Sequence, residues 1–210
     1  MRTLIAIPCM DSVPTQFAMS LSGLQKTGEI KQVYSVSSLI YDARNSLARQ
    51  AIAEKFDRVL WLDSDMVFSP DLFNRLSNAL DDGRDMVSGI YFTRKPPIKP
   101  VIFSEAGYEH VEGAREVKPV AATMYDYPEG IFEVAAVGFG GVMMNVSLLK
   151  EVEEKYGLPF APMLGFGEDI SFCLRVRDLG KKIWCDSSIK MGHVGFRIIT
   201  EETYRESRNA

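Results

Sequence analysis

The sequence predicts an α/β domain with a mainly parallel central sheet and helices on both of its faces. Three observations lead there. Short apolar runs alternate with stretches of helical periodicity as far as Phe92, the rhythm of repeated β-α units. The run Val59-Leu60-Trp61-Leu62 is apolar at every position, as a strand covered on both faces must be. A chain of 210 residues is long enough for one sizeable core and too short for two comfortable domains.

The first strand is the apolar run 3–7, stopped by Pro8, which has no N–H to give to a ladder. A loop through Asp11 and Pro14 leads to a helix over 16–24. Residues 32–36 give a second strand, and 41–56 carry helical periodicity through Leu47, Ala48, Ala51 and Ile52. The third strand is 58–62. Ser69-Pro70-Asp71 reads as an N-cap, a proline at the first helical position and an acid in the first turn, so a helix is expected over 70–80, stopping near Gly83. A fourth strand covers 85–92. The rhythm then breaks at Arg94-Lys95-Pro96-Pro97, which opens an irregular region with short strands near 100–103 and 131–137 and no helix between them. Insertions of this kind commonly build a substrate site. Helices return at 147–156 and 168–179, the second ended by Gly180, and 182–185 is the last strand expected. Residues 1–200 thus read as one domain and the polar residues 201–210 as a C-terminal tail, helical or frayed.

Composition narrows the function classes. Hydrophobic residues make up 46% and charged residues 25%, with a mean hydropathy of −0.04, the profile of an ordinary soluble globular protein. The balance of 24 basic against 28 acidic residues removes any global attraction to nucleic acid or anionic membrane. Cys9, Cys173 and Cys185 are odd in number, sit in apolar surroundings and form no metal-ligand cluster, so they read as buried thiols in a reducing compartment. No run is long enough to span a bilayer, and the short strand-like start stopped by Pro8 is unlike a signal peptide, so a cytoplasmic location and no membrane insertion are expected.

The chemistry centres on Asp63-Ser64-Asp65, where the apolar third strand ends in two carboxylates. In an extended segment residues i and i+2 project to one side, so Asp63 and Asp65 are expected to point together at the carboxyl end of a strand, where open α/β sheets bind ligands. Capping the following helix is the competing role, but Ser69-Pro70-Asp71 already supplies that. A second acidic signal, Gly165-Phe166-Gly167-Glu168-Asp169, opens a helix. First-turn acids are favoured by the helix dipole alone, whereas the two glycines also leave the loop bare for another molecule to approach. The chain has two histidines, and His193 lies in Gly192-His193-Val194-Gly195. Two aspartates and an imidazole make a partial octahedral shell suited to manganese or magnesium, with diphosphate oxygens and water completing it. Arg94 and Lys95 beside the diproline suit either a phosphate grip or a solvated loop.

Taken in order and spacing, Asp63-Ser64-Asp65, Gly138-Phe139-Gly140-Gly141, Gly167-Glu168-Asp169 and His193 resemble the nucleotide-sugar glycosyltransferases of the GT-A fold, in particular small stand-alone, family 2-like enzymes of bacteria and phages. Asp42-Ala43-Arg44-Asn45 resembles the Ala-Arg-Asn segment that follows the second strand in many of them, near the nucleotide. The resemblance spans nearly the whole chain. It implies a single GT-A domain, an α/β/α sandwich with a Rossmann-like nucleotide-binding half. It implies Asp65, Asp63 and His193 as ligands of Mn2+ or Mg2+, with Asp63 on the metal or the ribose, and Pro8, Asp11, Arg44 and Asn45 around the nucleotide. Gly140 and Gly141 would let a sugar pack on backbone, or else make a tight turn into a strand. Asp169 is implied as the general base of an inverting enzyme, with Glu168 binding acceptor or fixing the loop, although the two could exchange roles. The implied donor is a UDP- or GDP-sugar, and the acceptor carries a hydroxyl on a polysaccharide, a small metabolite, a protein or modified DNA.

Two other readings compete. An aspartate-dependent phosphohydrolase also uses Asp-x-Asp after a strand, but usually the first strand rather than the third. A non-catalytic nucleotide-sugar or carbohydrate-binding module would have no need to keep Asp63, Asp65, Asp169 and His193 together.

Overall fold

The computed structural model describes residues 1–110, 116–195 and 198–208. Its centre is a seven-stranded sheet built from β1 (Arg2–Cys9), β2 (Glu29–Val36), β3 (Arg58–Leu62), β5 (Met86–Ile90), β8 (Ile131–Val134), β10 (Gly141–Asn145) and β11 (Ile183–Lys190). The strand order is β2-β1-β3-β10-β5-β11-β8. Strands β2, β1, β3, β5 and β11 run one way, whereas β10 and the edge strand β8 run against their neighbours. A mainly parallel sheet is what the β-α rhythm predicted.

Alternation along the strands divides the interior into two cores. Leu4, Ala6, Val59, Trp61, Val142 and Met144 face one side, where α2 (Ile40–Ala53), α4 (Val146–Tyr156) and α5 (Glu168–Asp178) pack. Ile5, Ile7, Leu60, Leu62 and Met143 face the other, against α1 (Thr15–Gly23) and α3 (Leu72–Asp81). Each strand thus supplies both faces, which explains why Val59 to Leu62 are apolar at consecutive positions and fully buried. Cys9, Cys173 and Cys185 are free and buried, as expected.

Two small sheets complete the fold. One orders β13 (Ile198–Ile199), β12 (Gly192–Val194) and β4 (Met66–Val67); the other orders β7 (Val117–Thr123), β6 (Ile102–His110) and β9 (Ala136–Val137). The second replaces much of the expected irregular region with a long antiparallel hairpin of β6 and β7. Its strands escape the pattern because most of their residues are half-exposed or exposed, so apolar side chains do not cluster. Strand β11 also outruns its expected end at Cys185, because residues 186–190, polar except for the buried Ile189, follow β5 through a register shift.

The entry to α3 differs from expectation. The helix begins at Leu72, with Asp71 as its N-cap residue in helical geometry and no side-chain cap bond. The Ser69 hydroxyl bonds instead to Asp71, and the Leu72 amide donates to the Ser69 carbonyl at 3.2 Å. Pro70 therefore belongs to a turn ahead of the helix. Within the expected tail, α6 (Glu201–Arg208) is helical, and its Tyr204 is buried, stacking on Phe92 at 4.6 Å and donating to the Tyr125 carbonyl at 3.1 Å. Residues 209–210, the rest of that tail, lie outside the described residues. Among the described residues no helix is long and apolar enough to cross a membrane.

Candidate functional site

A cleft of about 520 Å³ opens at the carboxyl ends of β1, β2 and β3. Its walls include Pro8 at the end of β1 and Asp11 after it, Ser37 and Ile40 after β2, and Asp63 and Asp65 after β3, with Arg94 and His193 facing them. Segments far apart in sequence therefore meet at one place.

The aspartate pair does not stand in an extended strand. Strand β3 ends at Leu62, and the Met66 amide donates to the Asp63 carbonyl at 3.2 Å, closing a turn over residues 63–66. The turn sends the two carboxylates to different partners. Asp63 accepts from Arg44 Nη2 at 2.7 Å, while Asp65 Oδ2 is paired with Arg94 and lies 3.3 Å from His193 Nε2. Burial pushes the Asp63 carboxyl up, against the pull of Arg44. Burial also acts upward on Asp65, but the His193 and Arg94 charges win and hold it below the usual carboxylate range.

His193 reaches Asp65 through the small sheet. It pairs with Met66 across β12 and β4, and the Val194 amide donates to the Asp65 carbonyl at 2.8 Å. Its Nδ1 lies 3.0 Å from the Phe92 carbonyl, which can only accept, so Nδ1 carries the proton. In the neutral ring Nε2 then turns a lone pair toward a carboxylate oxygen, whereas in the imidazolium it donates to that oxygen. Two acceptors facing each other at that distance need a cation or a proton between them. Burial opposes the imidazolium, yet Asp65 raises the His193 pKa.

Arg44 ties the cleft to the second acidic motif. Only 2% exposed, it donates through Nη2 to Asp63 and through Nε to Glu168 at 3.1 Å, with its guanidinium 5.0 Å from the Phe139 ring. Asp169 lies beside this group in the first turn of α5, and burial, then the neighbouring Glu168 charge, raises its pKa to about 6.

Solved structures similar to this chain include A197 from STIV, with a TM-score of 0.64 and 20% identity over 93% of this chain and 86% of that one. They also include GalNAc-T7 with UDP, GalNAc and Mn2+, with a TM-score of 0.59 and 11% identity over 99% of this chain and 47% of that one. The fold is GT-A-like. No protein-family model matches the sequence, and no curated protein matches it. This chain spans about half the length of GalNAc-T7.

The GT-A-like domain gathers Pro8, Asp11, Asp63, Asp65 and His193 at one cleft and places the other expected residues differently. Asn45 turns away, buried at 3% exposure, with its Oδ1 accepting from the Phe160 amide at 2.9 Å. Arg44 lies beneath the cleft floor rather than in its lining. Gly140 and Gly141 are buried, and their missing side chains answer to the protein itself. A Cβ at Gly140 would meet Tyr91 Cζ at 2.9 Å, and one at Gly141 would collide with Met191. The Gly140 amide donates to the Tyr91 hydroxyl at 3.3 Å, and its carbonyl accepts from the Asp63 amide at 3.3 Å, so this glycine holds the aspartate turn in place. Tyr91 is a buried strut here, its pKa raised well above normal by burial and then by Asp63 and Asp169. At Gly138 an added Cβ would strike the Tyr91 hydroxyl and sit 2.6 Å from Val101 Cγ1. Gly138→Ala is expected to destabilise the fold by about 1–3 kcal/mol, read from the urea midpoint, because the overpacked strut has no free space. An unchanged midpoint would show that the strut yields.

Of the three expected metal ligands, Asp63 is paired with Arg44. Among the described residues no group of three or more His, Cys, Asp and Glu side chains is placed to hold a metal ion. Asp65 and His193 still fit one. They offer an oxygen and an oriented imidazole nitrogen to the same point, and the Phe92 carbonyl supplies the outer hydrogen bond that ligating histidines usually have. The sequence reading missed Ser37 and Ile40, whose only signal was their position between the second strand and its helix.

Proposed function

We propose that this chain is a metal-dependent glycosyltransferase, moving a sugar from a nucleoside diphosphate sugar to a hydroxyl group of an acceptor. The observation that carries this is the meeting of Asp65 Oδ2 and His193 Nε2, 3.3 Å apart in a strand-end cleft of a GT-A-like fold. Support for the donor class comes from the similar fold of GalNAc-T7, solved with UDP, GalNAc and Mn2+.

In this reading Asp65 and His193 hold Mn2+ or Mg2+, and Pro8 and Asp11 border the nucleotide. When bound, the ion stabilises the negative charge that grows on the leaving diphosphate. Asp63, fixed by Arg44, shapes the floor beneath the donor. The acceptor oxygen attacks the anomeric carbon as the bond from that carbon to the phosphate oxygen breaks, and Asp169 takes the hydroxyl proton. Of the two neighbouring acids, Glu168 is held by Arg44, whereas Asp169 has a pKa near 6 and is ionised at neutral pH yet basic enough to accept a proton. That contrast favours Asp169 as base and Glu168 as the residue that fixes its loop.

Thermal unfolding with UDP- and GDP-sugars, each with and without Mn2+, tests the proposal. A matching donor at about 100 times its dissociation constant should raise the midpoint by roughly 5 °C or more, and only with the metal. Asp65→Ala should remove that rise while leaving the unliganded midpoint within a few degrees. Hydrolysis of simple phosphomonoesters, with no response to any nucleotide sugar, would overturn the assignment.

A further inference from the structure

Among the described residues the cleft is lined by three carboxylates, Asp11, Asp63 and Asp65, and by one arginine or lysine, Arg94. With Asp63 paired to Arg44 beneath it and Arg94 spent on Asp65, this lining offers a diphosphate no unpaired guanidinium or ammonium. Arg94 is also the residue paired with Asp65, through Nη1 on the same Oδ2 that faces His193. A divalent cation and this guanidinium therefore compete for one oxygen.

The loop that carries Arg94 is built to present it. Its two ends close on each other, with the Thr93 amide donating to the Lys99 carbonyl at 2.9 Å and the Lys99 amide donating to the Thr93 hydroxyl at 3.0 Å. The Thr93 hydroxyl donates in turn to the Pro97 carbonyl at 3.1 Å. The backbone is thus held by its own bonds, whereas the Arg94 side chain is 46% exposed and free to change partner. Its planar fork suits phosphate oxygens as well as a carboxylate.

We propose that Arg94 is an exchangeable counter-cation: it neutralises Asp65 in the absence of metal, yields that oxygen to the divalent ion, and then binds the donor diphosphate. This rests on the metal-dependent donor site proposed above. Arg94 thereby weakens metal binding on its own and strengthens nucleotide binding once metal is present, which makes the two ligands bind cooperatively.

The experiment is calorimetric titration of Mn2+ alone, and of UDP and GDP at saturating Mn2+, into the wild-type chain, Arg94→Gln and Lys95→Ala. In Arg94→Gln the affinity for Mn2+ alone should rise about fivefold, the scale of a half-exposed ion pair, while nucleotide affinity with Mn2+ falls by about the same factor or more. Lys95→Ala removes an equal charge from the same loop without touching Asp65, so it should change neither constant by more than about twofold. Unchanged or weaker Mn2+ binding by Arg94→Gln, in a chain whose wild type binds Mn2+ and nucleotide, overturns the exchange and leaves the glycosyltransferase reading standing. If the wild type binds neither ligand, both fall.

Discussion

Asp169→Asn should make the protein more stable and, under the proposed function, make sugar transfer far slower. Burial and the Glu168 charge lift the Asp169 carboxyl from an ordinary value of 3.8 to about 6, so its ionised form is unfavourable in the folded chain. Between these two values the folded state keeps a proton that the unfolded state has released, and stability falls as pH rises through this window. Well above pH 6 the penalty is complete. Removing the charge should therefore raise stability at pH 8 by up to about 3 kcal/mol, because each tenfold change in proton affinity is worth about 1.36 kcal/mol, with almost no gain at pH 4. Denaturant midpoints of the two proteins at both pH values measure this. Transfer should fall by about 10²- to 10⁴-fold, the range for loss of a general base, while metal-dependent donor binding persists. The wild-type rate should itself drop below pH 6 as Asp169 takes up a proton. Full transfer by the variant would remove Asp169 from the mechanism, and stability differences equal at both pH values would contradict its raised pKa.

Arg44→Leu should be the most destabilising single change near the site, by about 3–5 kcal/mol. The guanidinium is nearly inaccessible and bridges Asp63 and Glu168, against the rings of Trp61 and Phe139. Leucine fills part of the volume but leaves two carboxylates facing each other without a counter-charge. Burial already pushes the Asp63 carboxyl up, and losing Arg44 would push it further, so the penalty should shrink as pH falls and Asp63 takes up a proton. Adding Asp63→Asn to the Arg44→Leu background should recover part of the loss, and a double-mutant cycle reads the coupling. A loss below about 1 kcal/mol, or no coupling between positions 44 and 63, would mean that the bridge is incidental.

The same residues show where sequence reading succeeds and where it stops. Val59 to Leu62 announce a central strand because burial on both faces demands an unbroken apolar run, and a carboxylate pair after such a strand points to a ligand site. The geometry of that pair departs from the expected one. Residues 63–66 form a turn, not an extended segment, and the bond that closes it joins backbone groups and leaves no mark in side-chain pattern. Arg44 and Asn45 look alike as polar neighbours on a helix, yet one bridges two acids and the other caps a loop at Phe160. Gly140 and Gly141 are legible as special positions, but what excludes their side chains, Tyr91 and Met191, lies some 50 residues away in sequence. The hairpin of β6 and β7 escapes notice because most of its side chains are exposed or half-exposed and carry no hydrophobic period.

From the sequence alone follow the α/β class, the strands whose two faces are both buried, and the candidate acids and imidazole. Those properties arise from local apolar period, from proline and glycine stereochemistry, and from the few residue types that bind metal or move protons. Which of them act together was decided only by the tertiary structure. Pairing of β4 with β12 carries His193 across 128 positions to Asp65, and the buried Arg44 reaches across 124 positions to Glu168 while it holds Asp63. Neither link has a sequence period, because each depends on how separate elements pack, and packing is a property of the whole core.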